Sequence, residues 1–205
     1  MKIAPALAAI EFDSVPSGIF AADAVLKKSP ISLLRAGTIG SGRYLLVFAG
    51  STASVEEAAR EAMYHGGNDV ADSTFLPDIA PALYDGLLGE RRTMGEGPIL
   101  ILETPTVSAC LEATERALKG VPVELLELRA GDPRMAGKGL AILQGDLYDI
   151  EEAESLATAA LEARGGAAKC RILSAPTKSI LDEIASSTRF NQAEAIKLAG
   201  ENPEG

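Results

Sequence analysis

The stretch AADAVLKKSPISLLRAGTIGSGRYLLVFAG, residues 21–50, ends a helix, turns at Ser-Pro and then runs through two apolar segments divided by glycines. Residues 31–36 and 43–49 are rich in Leu, Val, Ile and aromatics and read as an antiparallel hairpin. The tip, Gly37 to Gly42, has the look of a phosphate-cradling loop, and the surrounding sequence decides whether it is one.

The chain repeats itself once, which changes both the domain count and the expected symmetry. AIEF at 9–12 answers ILET at 101–104, AVLKK at 24–28 answers RALKG at 116–120, and LRAG at 34–37 recurs identically at 128–131. SVEEA at 54–58 answers DIEEA at 149–153, and Gly66-Gly67 answers Gly165-Gly166. The order is kept while the offset drifts, as expected of an old duplication whose insertions fall in loops. The boundaries read as a first domain over 1–88, a linker GERRTMGEG over 89–97, a second domain over 98–185 and a tail over 186–205.

Each copy opens on a strand (about 6–12 in the first) and a helix starting near Pro16, proline being favoured in a first helical turn. The hairpin follows, and then Ser54-Val-Glu-Glu57, a capping box ahead of the apolar stripe Val55, Ala58, Ala59, Ala62 and Met63. Asp149 and Glu152 predict the same cap in the second copy. A last strand (about 70–76 and 169–174) and a short helix close each unit. The expected fold is α+β: a tandem duplication of a ferredoxin-like βαββαβ unit, with helices on one face of a four-stranded antiparallel sheet. The tail from 186 has helical periodicity through Ala193, Ile196 and Leu198 and is expected to pack weakly or fray.

Composition excludes whole classes of function. A net charge of -10 with no run of Lys or Arg gives no electrostatic support for binding nucleic acid. The N-terminal apolar run is broken by Pro5 and Glu11, too short for a signal core or a membrane span, so a cytoplasmic protein is expected. Cys110 and Cys170 are isolated in apolar surroundings and read as buried thiols.

Enzyme motifs fail when their chemistry is demanded of the residues. GDPRMAGKG at 131–139 has its glycines one residue too far apart for a phosphate loop, and Gly139 stands where a metal-binding hydroxyl is needed. Gly37, Gly40 and Gly42 are misplaced for a dinucleotide fingerprint, and Ile39 stands two before Ser41 where a nucleophile elbow needs glycine. His65, the chain's one histidine, lies in a last helical turn, where it serves the helix dipole or packing. Glu56, Glu57, Glu151 and Glu152 fall in first helical turns, where carboxylates are electrostatically favoured without any catalytic role. No catalytic residue and no metal site is expected.

With these pieces placed, residues 21–50, their counterpart LETPTVSACLEATERALKGVPVELLELRAG at 102–131 and the element order around them resemble the tandem-domain trimeric shell proteins of bacterial microcompartments, in the unpermuted order. The resemblance implies a homotrimeric, pseudohexameric tile that meets hexameric and pentameric shell proteins edge to edge, contacts encapsulated enzymes and passes small metabolites through a central pore. In that family the hairpin tips face the pore. This maps the lining onto Thr38, Ile39, Gly40 and Ser41 in the first copy and onto Asp132, Pro133, Arg134, Met135, Ala136 and Gly137 in the second, whose tip is expected to be one residue longer. Three Arg134 side chains at separations of about 10 Å repel by only roughly 0.4 kcal/mol per pair in water and would favour anionic metabolites, with Asp132 offsetting part of that field.

Some members carry a cysteine in the first tip, and three such residues hold an iron-sulfur cluster on the axis. Here the matching residue is Gly40, so neither a cluster nor any other cofactor is expected. Lys27 and Lys119 match the family's tile-edge lysine at the end of the first helix of each copy. The reading weighed against a shell tile is a small-molecule-binding regulatory trimer of ferredoxin-like domains.

Overall fold

Residues Ala6–Phe12 form β1, buried along its whole length, and alternate residues serve two different cores. Successive strand side chains point to opposite faces. Ala6, Ala8, Ile10 and Phe12 therefore join one apolar cluster, while Leu7 and Ala9 join another. The computed structural model describes residues 5–92, 95–193 and 195.

After β1 come α1 (Val15–Lys28), β2 (Leu33–Thr38), β3 (Tyr44–Gly50), α2 (Thr52–Gly66), β4 (Val70–Pro77) and α3 (Pro81–Leu87). The second lobe repeats them as β5 (Ile99–Thr104), α4 (Val107–Gly120), β6 (Glu124–Arg129), β7 (Gly139–Gln144), α5 (Leu147–Glu162), β8 (Lys169–Leu173) and α6 (Lys178–Ser186). The sheets have the orders β2-β3-β1-β4 and β6-β7-β5-β8, antiparallel throughout. This is the expected α+β ferredoxin-like arrangement, present twice.

Three local readings need correction. Helix α2 begins a turn before the capping box: Ser51 is its N-cap, and the Ser51 Oγ accepts from the Ser54 amide at 3.2 Å. Glu57 instead faces Lys28 at 3.8 Å. In the second copy Asp146 occupies the N-cap position, so Asp149 lies inside the first turn of α5. The helices are also not confined to one face. Helices α1 and α2 cover the Ala6, Ala8, Ile10 and Phe12 side of the first sheet, whereas α3 shares the Leu7 and Ala9 side with Leu45, Val47 and Ala49. Helix α6 likewise lies opposite α4 and α5, with Leu181 and Ile184 over Ile99, Leu126 and Ile142.

The two lobes share a core, because α4 lies between its own sheet and the outer face of the first one. Val107, Cys110, Leu111 and Ala113 of α4 are completely buried in the cluster that contains Leu7 and Ala9. Polar groups fix the seam. The Ser108 amide donates to the Glu11 carboxylate at 2.7 Å, both Glu115 oxygens accept from the Ala80 amide at 3.0 and 3.1 Å, and Arg164 bridges Asp72 and Glu112. Glu11 is buried, its second oxygen has no hydrogen-bond partner among the described residues, and Arg43 lies 3.9 Å away. Burial raises its pKa against the lowering influence of Ser108.

Candidate functional site: the paired hairpin tips

The β2–β3 and β6–β7 tips come from separate lobes, yet the fold sets them side by side. The Gly137 amide donates to the Ile39 carbonyl at 3.2 Å, and the Ser41 hydroxyl reaches the Ala136 carbonyl at 3.4 Å. Gly40, with φ of 92°, packs so closely that an added Cβ would collide with the Pro133 carbonyl. A side chain there is therefore excluded by both conformation and space.

The candidate residues divide by exposure. Thr38, Ser41, Pro133, Arg134 and Ala136 are exposed, Gly40 and Met135 are partly covered, and Ile39 and Gly137 are buried. Ile39 anchors the first tip in the shared core, with its Cγ2 close to Gly131. The tips differ more than by the one residue expected: the strand-to-strand connections span 39–43 and 130–138, the second containing a 3-10 turn at Pro133–Met135.

Asp132 is turned away from the role expected of it. Its side chain is 7% exposed and accepts from Arg129 at 2.7 Å, Arg189 at 3.0 Å and the Arg134 amide at 3.0 Å. Burial acts to raise its pKa, but the hydrogen bonds from Arg129, the Arg134 amide and Arg189 prevail and hold the carboxyl down at about 2. Asp132 thus serves as a structural hub whose charge is matched locally, and it does not offset Arg134. The Arg134 guanidinium is exposed and donates to Asn191 Oδ1 at 2.6 Å.

The tail is better held than its composition suggests. The Thr188 hydroxyl donates to Glu127 at 2.8 Å, and Arg189 joins Asp132. Residues 187–191 therefore tie the end of α6 to the second tip, while Ile196 and Leu198 lie outside the described residues. The repeated LRAG carries a role that the repetition itself signalled. Arg35 donates to the Leu87 carbonyl at 2.7 Å and Arg129 to the Thr188 carbonyl at 3.3 Å, each clamping the chain at or just after the last helix of its own lobe.

Lys27 is well exposed and pairs with Asp23 one turn back. Lys119 is committed within the chain, 2.8 Å from Glu115 and donating to the Pro77 carbonyl at 3.3 Å, so it lies at the outer end of the lobe–lobe seam. Neither thiol belongs to a tip: Cys110 is buried in α4, where desolvation pushes it up to about 12 despite hydrogen bonds with Thr114 and Thr104, and Cys170 is half-buried on β8. His65 packs edge-on against Phe20, ring centroids 5.2 Å apart, and is 3.1 Å from Glu61.

A duplicated domain with its glycine-rich tips adjoining defines a class that can be matched to known proteins. Residues 6–79 match the BMC domain family. Over those residues the protein is similar to a BMC domain, and over most of its length it resembles a shell protein of bacterial microcompartments. The bacterial microcompartment shell protein PduT of Citrobacter freundii is 29% identical over 160 residues, covering 78% of this chain and 86% of that protein. A microcompartment protein from Desulfitobacterium hafniense DCB shares the fold with a TM-score of 0.75 at 24% identity, over 85% of this chain and 97% of that one. The fused permuted hexameric shell protein of the RMM microcompartment gives a TM-score of 0.60 at 24% identity, over 81% and 88%. The double-ringed trimeric shell protein of the same microcompartment gives 0.58 at 15% identity, over 77% and 83%.

Proposed function

We propose that this structural shell protein acts as a homotrimer, three copies closing into a six-lobed tile of the microcompartment shell in the cytoplasm, with the hairpin tips around a central pore for metabolites. The observation that carries this reading is the contact between the two tips within one chain, Gly137 to Ile39. Adjacent lobes that hold their tips together bring six tips to one axis when three copies close. The exposed residues Thr38, Ser41, Arg134 and Ala136 then line the opening, while Ile39 and Asp132 hold its rim in shape. Each ring contributes three exposed Arg134 cations, which favours anionic metabolites.

Other shell proteins meet the tile at its rim, where Lys27 and Lys119 lie at helix ends, and encapsulated enzymes meet one of its faces. The reading includes no iron-sulfur centre and no catalytic activity: Gly40 offers no thiolate, both cysteines lie away from the tips, and among the described residues no three His, Cys, Asp or Glu side chains gather as a metal site. The regulatory-trimer alternative finds no support among the relatives. Electron microscopy of the purified protein tests the proposal. Six-lobed discs with a central hole, joining into sheets, are expected; separate particles without a hole would reject it.

A further inference from the structure

After α3 the chain runs on along β6 into the second lobe, whereas after α6 it turns back to the hairpin tip of its own lobe. Buried charges hold that return. The Thr188 hydroxyl and Arg91 both donate to Glu127, Arg129 donates to the Thr188 carbonyl and to Asp132, and Arg189 donates to the same Asp132 oxygen at 3.0 Å. The side chains of Glu127, Arg129 and Asp132 are each less than a tenth exposed. Taking charges out of water is costly unless each finds a partner, and here the returning segment supplies partners to all three.

The segment closes on itself as it reaches the tip. The Arg189 amide donates to the Ser187 hydroxyl at 3.0 Å, and the Arg189 carbonyl accepts from the Gln192 and Ala193 amides at 2.8 and 3.0 Å. Phe190 and Asn191 therefore sit on a closed turn. Arg189 anchors it to Asp132 on one side, and on the other the Asn191 Oδ1 accepts from the Arg134 guanidinium at 2.6 Å. Phe190, between these two anchors, is 98% exposed. Its ring contributes nothing to the packing of its own chain, and it stands one residue from the partner of Arg134.

We propose that the turn at 189–191 is a third element of the pore mouth, in which Asn191 positions the Arg134 cation and Phe190 sets an apolar surface beside it, so that the opening favours organic anions with an apolar body over hydrophilic anions of the same charge, an inference that rests on the pore reading above. Any anion passing Arg134 gains from the cation. Only one that carries a hydrocarbon or aromatic group gains further by covering Phe190, because apolar surface then leaves water. Three copies bring three such rings to one opening, and a surface that is single in one chain becomes a collar. Asn191 is a positioning residue: being neutral, it fixes where the guanidinium rests without cancelling its charge.

The test uses tiles of the full chain in planar lipid bilayers. Reversal potentials give the permeabilities of the sodium salts of benzenesulfonate and isethionate, two permanently charged sulfonates that differ in their apolar body. Phe190→Ser is expected to lower the benzenesulfonate-to-isethionate ratio by more than about threefold and to leave the isethionate-to-sodium ratio unchanged, because no charge is touched. Asn191→Ala frees the guanidinium and is expected to lower the isethionate-to-sodium ratio by more than about twofold. Both residues are exposed, so the far-UV circular dichroism of each variant stays that of the wild type. Either ratio unmoved by its substitution in conducting tiles overturns the proposal and leaves the pore standing. Wild-type tiles that carry no current overturn the pore reading and, with it, the role of this turn.

Discussion

The same Leu-Arg-Ala-Gly lies within β2 and across the end of β6, yet one strand lies open and the other is covered. Leu34 is 37% exposed, and its twin Leu128 is 8% exposed. Their arginines do the same work, each clamping the chain near the end of its own lobe's last helix. The difference is the neighbour. Helix α3 lies along β6, with Gly86 so near Leu125 and Leu128 that a Cβ there would be 3.0 to 3.2 Å from their side chains, and the Arg92 amide donates to the Leu126 carbonyl at 3.3 Å. Among the described residues no helix lies along β2 in this way. In the proposed ring the neighbour that covers β2 is another copy of the chain, as expected of a cyclic arrangement.

The comparison can be broken most directly at the leucine pair. Leu128→Ala removes a buried side chain and is expected to lower stability by about 3 kcal/mol, read by urea unfolding. Leu34→Ala is expected to cost less than about 1 kcal/mol under dilute conditions where the chain is monomeric, and to weaken assembly at high concentration. Equal costs in the dilute chain would show that the two edges do not differ as described.

A second contrast sets Asp132 against Glu11, buried carboxyls in the two lobes with opposite shifts. The pKa of Asp132 is depressed to about 2, so its contribution is present above its unfolded value near 3.8 and is lost as pH falls toward 2. Asp132→Asn is therefore expected to cost about 2 kcal/mol at neutral pH, with the gap closing in acid, measured as unfolding midpoints from pH 7 to pH 2. Glu11 is raised, so the folded state holds its proton more tightly and stability falls as pH rises from 4.5 through its folded pKa. A pH-independent effect of Asp132→Asn would contradict the arginine hub.

Smaller effects sharpen the account of the caps and the rim. Ser51→Ala is expected to cost about 1 kcal/mol and Ser54→Ala distinctly less, the reverse of what the capping-box pattern implies. Arg134→Ala leaves stability within about 0.5 kcal/mol, because the side chain is exposed. In reconstituted tiles it lowers passage of anionic solutes relative to neutral ones, and unchanged selectivity would remove Arg134 from the lining.

The strands and the duplication were legible because buried β3 is a continuous apolar run, β1 is one but for Glu11, and the repeats keep their order. Helix α2 was misread at its start because Ser51 and Ser54 are chemically equivalent, one turn apart, and only the geometry chooses between them. The tips were located, but their inner structure was not. Arg129 lies three residues from Asp132, whereas Arg189 and Asn191 reach the second tip from 57 residues away, a contact that no local pattern encodes. The LRAG repeat marked duplication, and its conserved arginine within both copies was the readable sign of the clamp.

The mass of the purified protein in solution across a hundredfold range of concentration tests the central claim most directly. The account predicts a particle three times the 21.3 kDa chain that dissociates only on dilution. A species of one chain mass at every concentration would contradict it, leaving the open face of β2 as ordinary surface.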